Sequence, residues 1–259
     1  MKRILSVLLV LTLALTLVAC GGVATPPTTG KTFILGLDDS FPPMGFRNDA
    51  DEIVGFDIDL AKEVCTRLGY ELKLQPIDWD SKEVELNSNK IDCIWNGMTI
   101  TPERKAAMTL SEPYLKNRQV LVVKSDATYT DLASLAGKTL ALQKGSSAAV
   151  ALEANPTFAD TLKAVNELPD YMGALLELDS GMSDAVLMDE IVANYYITDQ
   201  NADYKILDEV LAEEEYAIGF RKDDPLAKDV GRVLSEMKAD GTLAKISTDW
   251  FGKDITTIQ

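Results

Sequence analysis

Histidine is missing from all 259 residues of the chain. That excludes a Ser-His-Asp triad, an imidazole general base and any histidine-ligated metal. Cysteine is nearly as scarce, with only Cys20, Cys65 and Cys93. Cys65 and Cys93 lie far apart in sequence among apolar neighbours, so in an exported chain they can pair or stay as two buried thiols. Positive charge is also short: 25 Lys and Arg face 41 Asp and Glu, for a net charge of −16. Such a surface repels phosphate backbones and excludes nucleic acid as an expected partner. The longest apolar run, residues 4–17, is too short for a comfortable membrane span.

That run has the features of an export signal. Lys2 and Arg3 precede it, and Leu17-Val18-Ala19-Cys20-Gly21 closes it. Positive charge, apolar core, small residues and a cysteine, in that order, resemble the bacterial lipoprotein signal. The resemblance implies a signal peptide at 1–19, cleavage before Cys20, and a lipid such as palmitate on that cysteine. The protein would then sit at the outer face of the cell membrane or in the periplasm. An ordinary signal peptide cut elsewhere, or an uncleaved anchor, is the alternative, and each of these exports the chain. Residues 21–30 read GGVATPPTTG. Gly, Pro and Thr without apolar periodicity make a flexible tether, so residues 20–30 form the lipidated linker.

The remaining residues, with 46% apolar content over the whole chain, suffice for one large domain or two lobes of ordinary size. Residues 32–37 form a short apolar strand, and Asp38-Asp39-Ser40-Phe41-Pro42-Pro43 cannot continue it. From Asp57, apolar residues at helical spacing (Ile58, Ala61, Val64, Cys65, Leu68) predict a helix stopped by Gly69. Residues 71–77 alternate as a strand, and residues 91–95 form a buried one. Thr101-Pro102 opens a helix, with Thr as cap and Pro at its first position. This βαβαβα order implies a mostly parallel sheet covered by helices, an α/β fold. A second such series has strands at 120–123, 139–142, 184–187 and 216–220. Its helices fall at 131–136, 146–153, 171–178 and 190–197, with two more at 226–239 and 242–250. Gly137-Lys138-Thr139 is not a phosphate loop, because Leu132 stands where that motif needs glycine.

Open α/β sheets bind ligands beyond the C-terminal ends of their strands. The residues expected there are Asp38, Asp39 and Phe41; Asp78 and Trp79; Asn96, Gly97, Thr99 and Arg104; Gln143, Gly145, Ser146 and Ser147; and Asp189. This set can hold a zwitterion. The Arg104 guanidinium matches a carboxylate with two parallel hydrogen bonds. The helix start at Ser146 favours an anion. Asp189 can take an ammonium, while Phe41 and Trp79 can sandwich the rest of the ligand. Each has a plainer alternative: Arg104 can pair with Glu103 or Glu112, Asp189 can cap a helix, Phe41 and Trp79 can be core, and Asp38 and Asp39 can form a turn.

Several phrases resemble one family. Phe41-Pro42-Pro43-Met44-Gly45-Phe46, Ile53-Val54-Gly55-Phe56-Asp57-Ile58-Asp59-Leu60-Ala61, and Asn96-Gly97-Met98-Thr99-Ile100-Thr101-Pro102-Glu103-Arg104 are similar to the polar amino acid group of periplasmic-type binding proteins, which serve ATP-driven (ABC) importers. Ser111-Glu112-Pro113-Tyr114, Asp240-Gly241-Thr242 and Trp250-Phe251-Gly252 match as well, so the likeness covers residues 31–252. It implies a two-lobed periplasmic binding protein-like fold of type II, with two crossings between lobes that close by hinge motion. Lobe 1 would be 31–113 and 217–259, lobe 2 would be 117–211, and the hinge 114–118 and 212–216. The resemblance gives Arg104 the ligand α-carboxylate, helped by Thr99 and the Ser147 backbone. It gives Asp189 the α-ammonium, helped by the Gly97 carbonyl, and stacks Phe41 and Trp79 on the ligand. Asp38 reaches the ligand side chain, and Gln143 lines lobe 2 where glutamine binders carry lysine. Asn96 is bulkier than its counterparts and would reshape the pocket. A disulfide found in relatives that bind basic amino acids is not possible, because its second position here is Leu72.

The resulting expectation is an extracytoplasmic solute-binding component of an ABC importer that takes a free polar amino acid such as arginine, lysine or glutamine. Its partners would be the amino acid, the importer's membrane subunits and, through Cys20, the membrane. It would be a monomer and not an enzyme, with no cofactor and no metal. The rival readings are a cyclohexadienyl dehydratase-like enzyme on the same fold and a solute sensor for a membrane receptor.

Overall fold

The computed structural model describes residues 30–259. The export signal, Cys20 and most of the tether lie outside the described residues. The first lobe is built on five strands in the order Glu71–Pro76, Thr32–Leu37, Cys93–Ile94, Gly219–Phe220 and Thr109–Leu110. The first three run parallel, as a strand–helix–strand order requires. The crossover helix Phe56–Leu68 buries Ile58, Ala61, Val64 and Cys65 and ends at Gly69, as its periodicity predicts. Burial of Ile58 and Val64 contributes roughly 1.5–3 kcal/mol each, and that of the smaller Ala61 less.

The second lobe is a five-stranded sheet in the order Ala164–Leu168, Thr139–Gln143, Ala185–Asp189, Leu115–Lys124 and Tyr204–Tyr216. Its first three strands are parallel and the other two antiparallel. The long strands Leu115–Lys124 and Tyr204–Tyr216 pair from Leu115 opposite Tyr216 to Lys124 opposite Tyr204. They carry the chain out of the first lobe and back, so the two crossings lie side by side. The helices Leu226–Ala239 and Thr242–Phe251 then return to pack on Phe56–Leu68.

Several boundaries differ from expectation. Residues after Leu37 do re-enter a sheet: Ser40–Phe41, Gly45–Arg47 and Ile53–Val54 form a small antiparallel one. The strand expected at 91–95 is only Cys93–Ile94, and that at 216–220 only Gly219–Phe220, because Tyr216 ends a longer strand. The helix expected at 190–197 is α-helical for Glu190–Asn194 and then widens to a π turn at Tyr195–Asp199. The helix expected at 131–136 is a 3-10 turn at Ala133–Leu135. Cys65 and Cys93 are buried free thiols, not a disulfide. Among the described residues no helix is long and apolar enough to cross a membrane, and no group of three His, Cys, Asp or Glu could hold a metal.

Candidate functional site

Thr101 caps the helix Pro102–Ala107, its hydroxyl accepting from the Arg104 backbone N–H at 3.2 Å. That first turn sends the Arg104 side chain into the contact between lobes, where it is buried. Its guanidinium donates to the Thr99 carbonyl at 2.8 Å and, across the lobes, to the Gly145 carbonyl at 3.3 Å. Neither Glu103 nor Glu112 pairs with it. Burial holds its pKa below the usual value, but a guanidinium stays charged at neutral pH. A second cation, missed in the sequence, ends at the same point. Lys82 is buried and donates to the Trp79 carbonyl at 3.1 Å and to the Gly145 carbonyl at 2.9 Å. Burial first, then the charge of Arg104, pushes its pKa down to about 8. Gly145 has φ +67°, and a Cβ there would come within 2.9 Å of Asp80 Oδ1 on the first lobe. Glycine is what lets this carbonyl reach both cations.

Asp189 ends its strand in the second lobe and is buried. It stands at the N-cap position of the next helix, but its side chain makes no capping hydrogen bond. Its Oδ1 accepts from Asn117 Nδ2 at 2.6 Å and the Tyr216 hydroxyl at 2.6 Å, and its Oδ2 from the Tyr171 hydroxyl at 2.8 Å. Burial, and next the charge of Glu214, raise its pKa to about 7.

Between Arg104 and Asp189 lies a polar junction centred on Glu214. Its Oε2 accepts from Thr99 Oγ1 at 2.8 Å, Asn117 Nδ2 at 3.0 Å, Gln119 Nε2 at 3.0 Å and Ser147 Oγ at 3.3 Å. Ser147 Oγ also meets Thr99 Oγ1 at 3.0 Å, joining the lobes directly. Glu214, Asn117 and Gln119 were not singled out from the sequence. Their signal is period-2 burial along the crossing strands: Asn117 and Gln119 are buried while Lys116 and Arg118 are exposed. All four are polar, so hydropathy alternation cannot reveal it.

At the far end, Asp38 Oδ1 accepts from Ser40 backbone N–H at 2.9 Å, as a turn former would, and its Oδ2 accepts from Gln143 Nε2 at 2.7 Å across the lobes. Burial raises its pKa. Asp39 turns away and pairs with Arg47 at 2.6 Å, so it adds no charge to this end of the cleft. Ser146 donates to the Gln143 carbonyl at 2.7 Å. Asn96 Oδ1 accepts from the Asp38 backbone N–H at 3.1 Å, so Asn96 braces the loop that carries Asp38. Phe41 faces Tyr171 of the second lobe, with ring centroids 5.8 Å apart. Trp79 is buried beside Leu86, Ile91, Ile94, Met98 and Met108, with Lys82 Nζ 5.1 Å over its ring. It is therefore a wall of the first lobe rather than the mate of Phe41. Gly97 has φ +56°, and a Cβ there would meet Phe41 at 2.7 Å. Its N–H donates to Asp57 Oδ2 at 2.8 Å, which also accepts from Tyr114 at 2.9 Å.

The structure thus sets a buried guanidinium on one lobe, a buried carboxylate on the other, hydroxyls and the Glu214 carboxylate between them, and an acid–amide pair beyond. Opposite charges on facing lobes, with hydroxyl donors beside them, can grip a zwitterion. Among the described residues no group of three His, Cys, Asp or Glu that could hold a metal accompanies them.

Residues 33–253 match the bacterial extracellular solute-binding proteins, family 3. The chain is 32% identical over 255 residues to the arginine-binding extracellular protein ArtP of Bacillus subtilis, covering 97% of this chain and 98% of that one. It is 31% identical over 228 residues to the L-cystine-binding protein TcyJ of Escherichia coli, covering 87% and 84% respectively. Among solved structures, a substrate-binding protein of an ABC uptake transporter from Streptococcus pneumoniae with bound histidine matches with a TM-score of 0.86 and 38% identity, over 89% of this chain and 96% of that one. A protein bound to L-arginine matches with a TM-score of 0.84 and 34% identity, over 88% and 93%.

Proposed function

The chain belongs to family 3 of the bacterial extracellular solute-binding proteins, and from that premise we propose that it delivers a free cationic or amide-bearing amino acid, arginine foremost, to an ABC importer. The carrying observation is that Arg104 and Asp189, buried at the lobe contact on opposite lobes, have no ion-pair partner among the described residues. A buried charge with no paired counter-ion in direct contact costs several kcal/mol. An amino acid supplies both counter-charges at once. Its carboxylate goes to Arg104 with Thr99 and Ser147. Its ammonium goes to Asp189 with the Gly97 carbonyl. The side chain then runs past Phe41 and Trp79 to Asp38 and Gln143, with Asn96 and Ser146 holding those two in place. Arginine, histidine and cystine, the ligands of these relatives and neighbours, all carry the same zwitterion.

The lobes 31–113 with 217–259 and 117–211 close about a hinge at 114–118 and 212–216. Closure presents one compact face to the importer's membrane subunits. The protein acts as a monomer held to the membrane by the lipid on Cys20. It is a carrier and not an enzyme, with Asp189 engaged by three hydrogen bonds within the chain. Thermal and denaturant unfolding of the purified protein with each common amino acid tests the reading. Saturation at about a hundred times Kd should add about 2.7 kcal/mol of stability. No stabilisation by any amino acid would sink it.

A further inference from the structure

Glu214 lies on the returning crossing strand, between the exposed Glu213 and Glu215, and points the opposite way from both. One of its oxygens collects four donors from both sides of the cleft: Thr99 from the first lobe, Ser147 from the second, and Asn117 and Gln119 from the other crossing strand. Two of the four come from Thr99 and Ser147, the residues assigned above to the ligand's carboxylate. A carboxylate accepting several hydrogen bonds from neutral donors is a good match for that niche whether it comes from a ligand or from the chain. We propose that Glu214 stands in for the ligand's carboxylate, latching the lobes together and competing with the ligand for Thr99 and Ser147, so that it sets the affinity of the site. This rests on reading the cleft as an amino-acid site.

The geometry supplies both halves of a competition. A single oxygen atom cannot share four donors with a second carboxylate without losing some of them, because each hydroxyl has one proton to give. Glu214 also has somewhere to go. It lines an open groove of about 720 Å³ at the crossings, where Lys105 and Lys116 stand among the acidic Glu190, Glu213 and Glu215, and Arg118 is already paired with Glu190. Lys105 and Lys116 are exposed there and can receive the displaced carboxylate. A change of rotamer at Glu214 thus trades neutral donors in the cleft for the two lysines at its rim. The latched form does not bind ligand, so its population lowers the apparent affinity by the fraction it occupies.

The test uses the exported, lipid-bearing protein in detergent micelles. Spin labels go on Val84→Cys in the first lobe and Met172→Cys in the second, both exposed. Cys65 and Cys93 are buried and escape labelling. Distances are read by double electron–electron resonance, and arginine binding by calorimetry, with Glu214→Ala and the near-isosteric Glu214→Gln beside the parent. The latch predicts longer distances for Glu214→Ala without arginine, the same short distance for all forms with saturating arginine, and an arginine Kd lower by roughly three- to tenfold. Glu214→Gln keeps one acceptor without the charge and should shift the same way by less, which also covers poor folding of the alanine form. Weaker arginine binding in both variants would mean that Glu214 contacts the ligand itself, and would overturn the proposal. Unchanged distances would overturn it too. If the parent binds no amino acid, the functional reading fails, while the distances still decide whether Glu214 latches the lobes.

Discussion

Gln143 Nε2 of the second lobe donates to Asp38 Oδ2 of the first at 2.7 Å. The bond spans the lobes and leaves the carboxylate facing the cleft with neutral donors only. A ligand side chain that brings its own cation or amide N–H to Asp38 therefore replaces Gln143 rather than adding to it. Asp38→Ala should weaken arginine binding at least tenfold, about 1.4 kcal/mol, and affect small neutral amino acids less. Competitive calorimetry across a ligand panel reads the difference.

Arg104 is held by two carbonyls, and its planar fork suits a carboxylate. Arg104→Lys retains the charge but loses the second parallel hydrogen bond. Affinity for every amino acid should fall by roughly a hundredfold, about 2.7 kcal/mol, with no change of ligand preference. A change confined to one ligand would place the carboxylate elsewhere.

Gly145→Ala puts a Cβ against Asp80 and forces alanine into a left-handed conformation. The strain alone costs roughly 1–2 kcal/mol. Because the clash exists only where the lobes meet, the variant should bind more weakly while its spin-label distances without ligand lengthen. Equal distances in parent and variant would contradict this.

Asp57 supports Gly97 from below, and burial raises its pKa to about 7. Its unfolded value is the ordinary 3.8. The folded state therefore holds the proton more tightly, and this contribution to stability is full below about pH 4 and is lost as pH rises through about 7. Asp189, also raised to about 7, acts in the same direction. Each group adds a slope of at most about 1.4 kcal/mol per pH unit. Asp57→Asn keeps an oxygen for Gly97 and Tyr114 and cannot ionise. Urea unfolding between about pH 5 and 8 should therefore show a flatter decline in this variant than in the parent. Parallel curves would show that Asp57 does not titrate in this window.

Cys20 carries the anchoring proposal. Cys20→Ser should release the protein from membranes into the soluble fraction, and mass spectrometry of the N-terminal peptide of the parent should find a diacylglycerol adduct. An unmodified Cys20 would refute the lipid anchor.

Much of the fold was legible in sequence because local forces set it. The helix Phe56–Leu68 follows from apolar spacing and a terminating glycine, and Pro102–Ala107 from a threonine cap and a first-position proline. The strand Ala164–Leu168 was not legible, since AVNEL has neither clear alternation nor an apolar run. Nor was Tyr204–Tyr216, whose acidic residues suggest a solvated loop but pair along Leu115–Lys124.

The sequence by itself determined the exclusion of histidine chemistry, the α/β class and the residue types that can hold an amino acid. These follow from composition and short-range spacing. Only the tertiary structure decided which of those residues meet. It placed Asp38 against Gln143 but turned Asp39 outward to Arg47, and it made Trp79 a wall beside Lys82. It also brought Lys82 and Glu214 into the cleft. Lys82 lies on a short helix and Glu214 in an acidic run, where neither position distinguishes itself from its neighbours. Their roles come from the approach of two lobes through one glycine carbonyl and one carboxylate oxygen, contacts between residues far apart in the chain that no local pattern encodes.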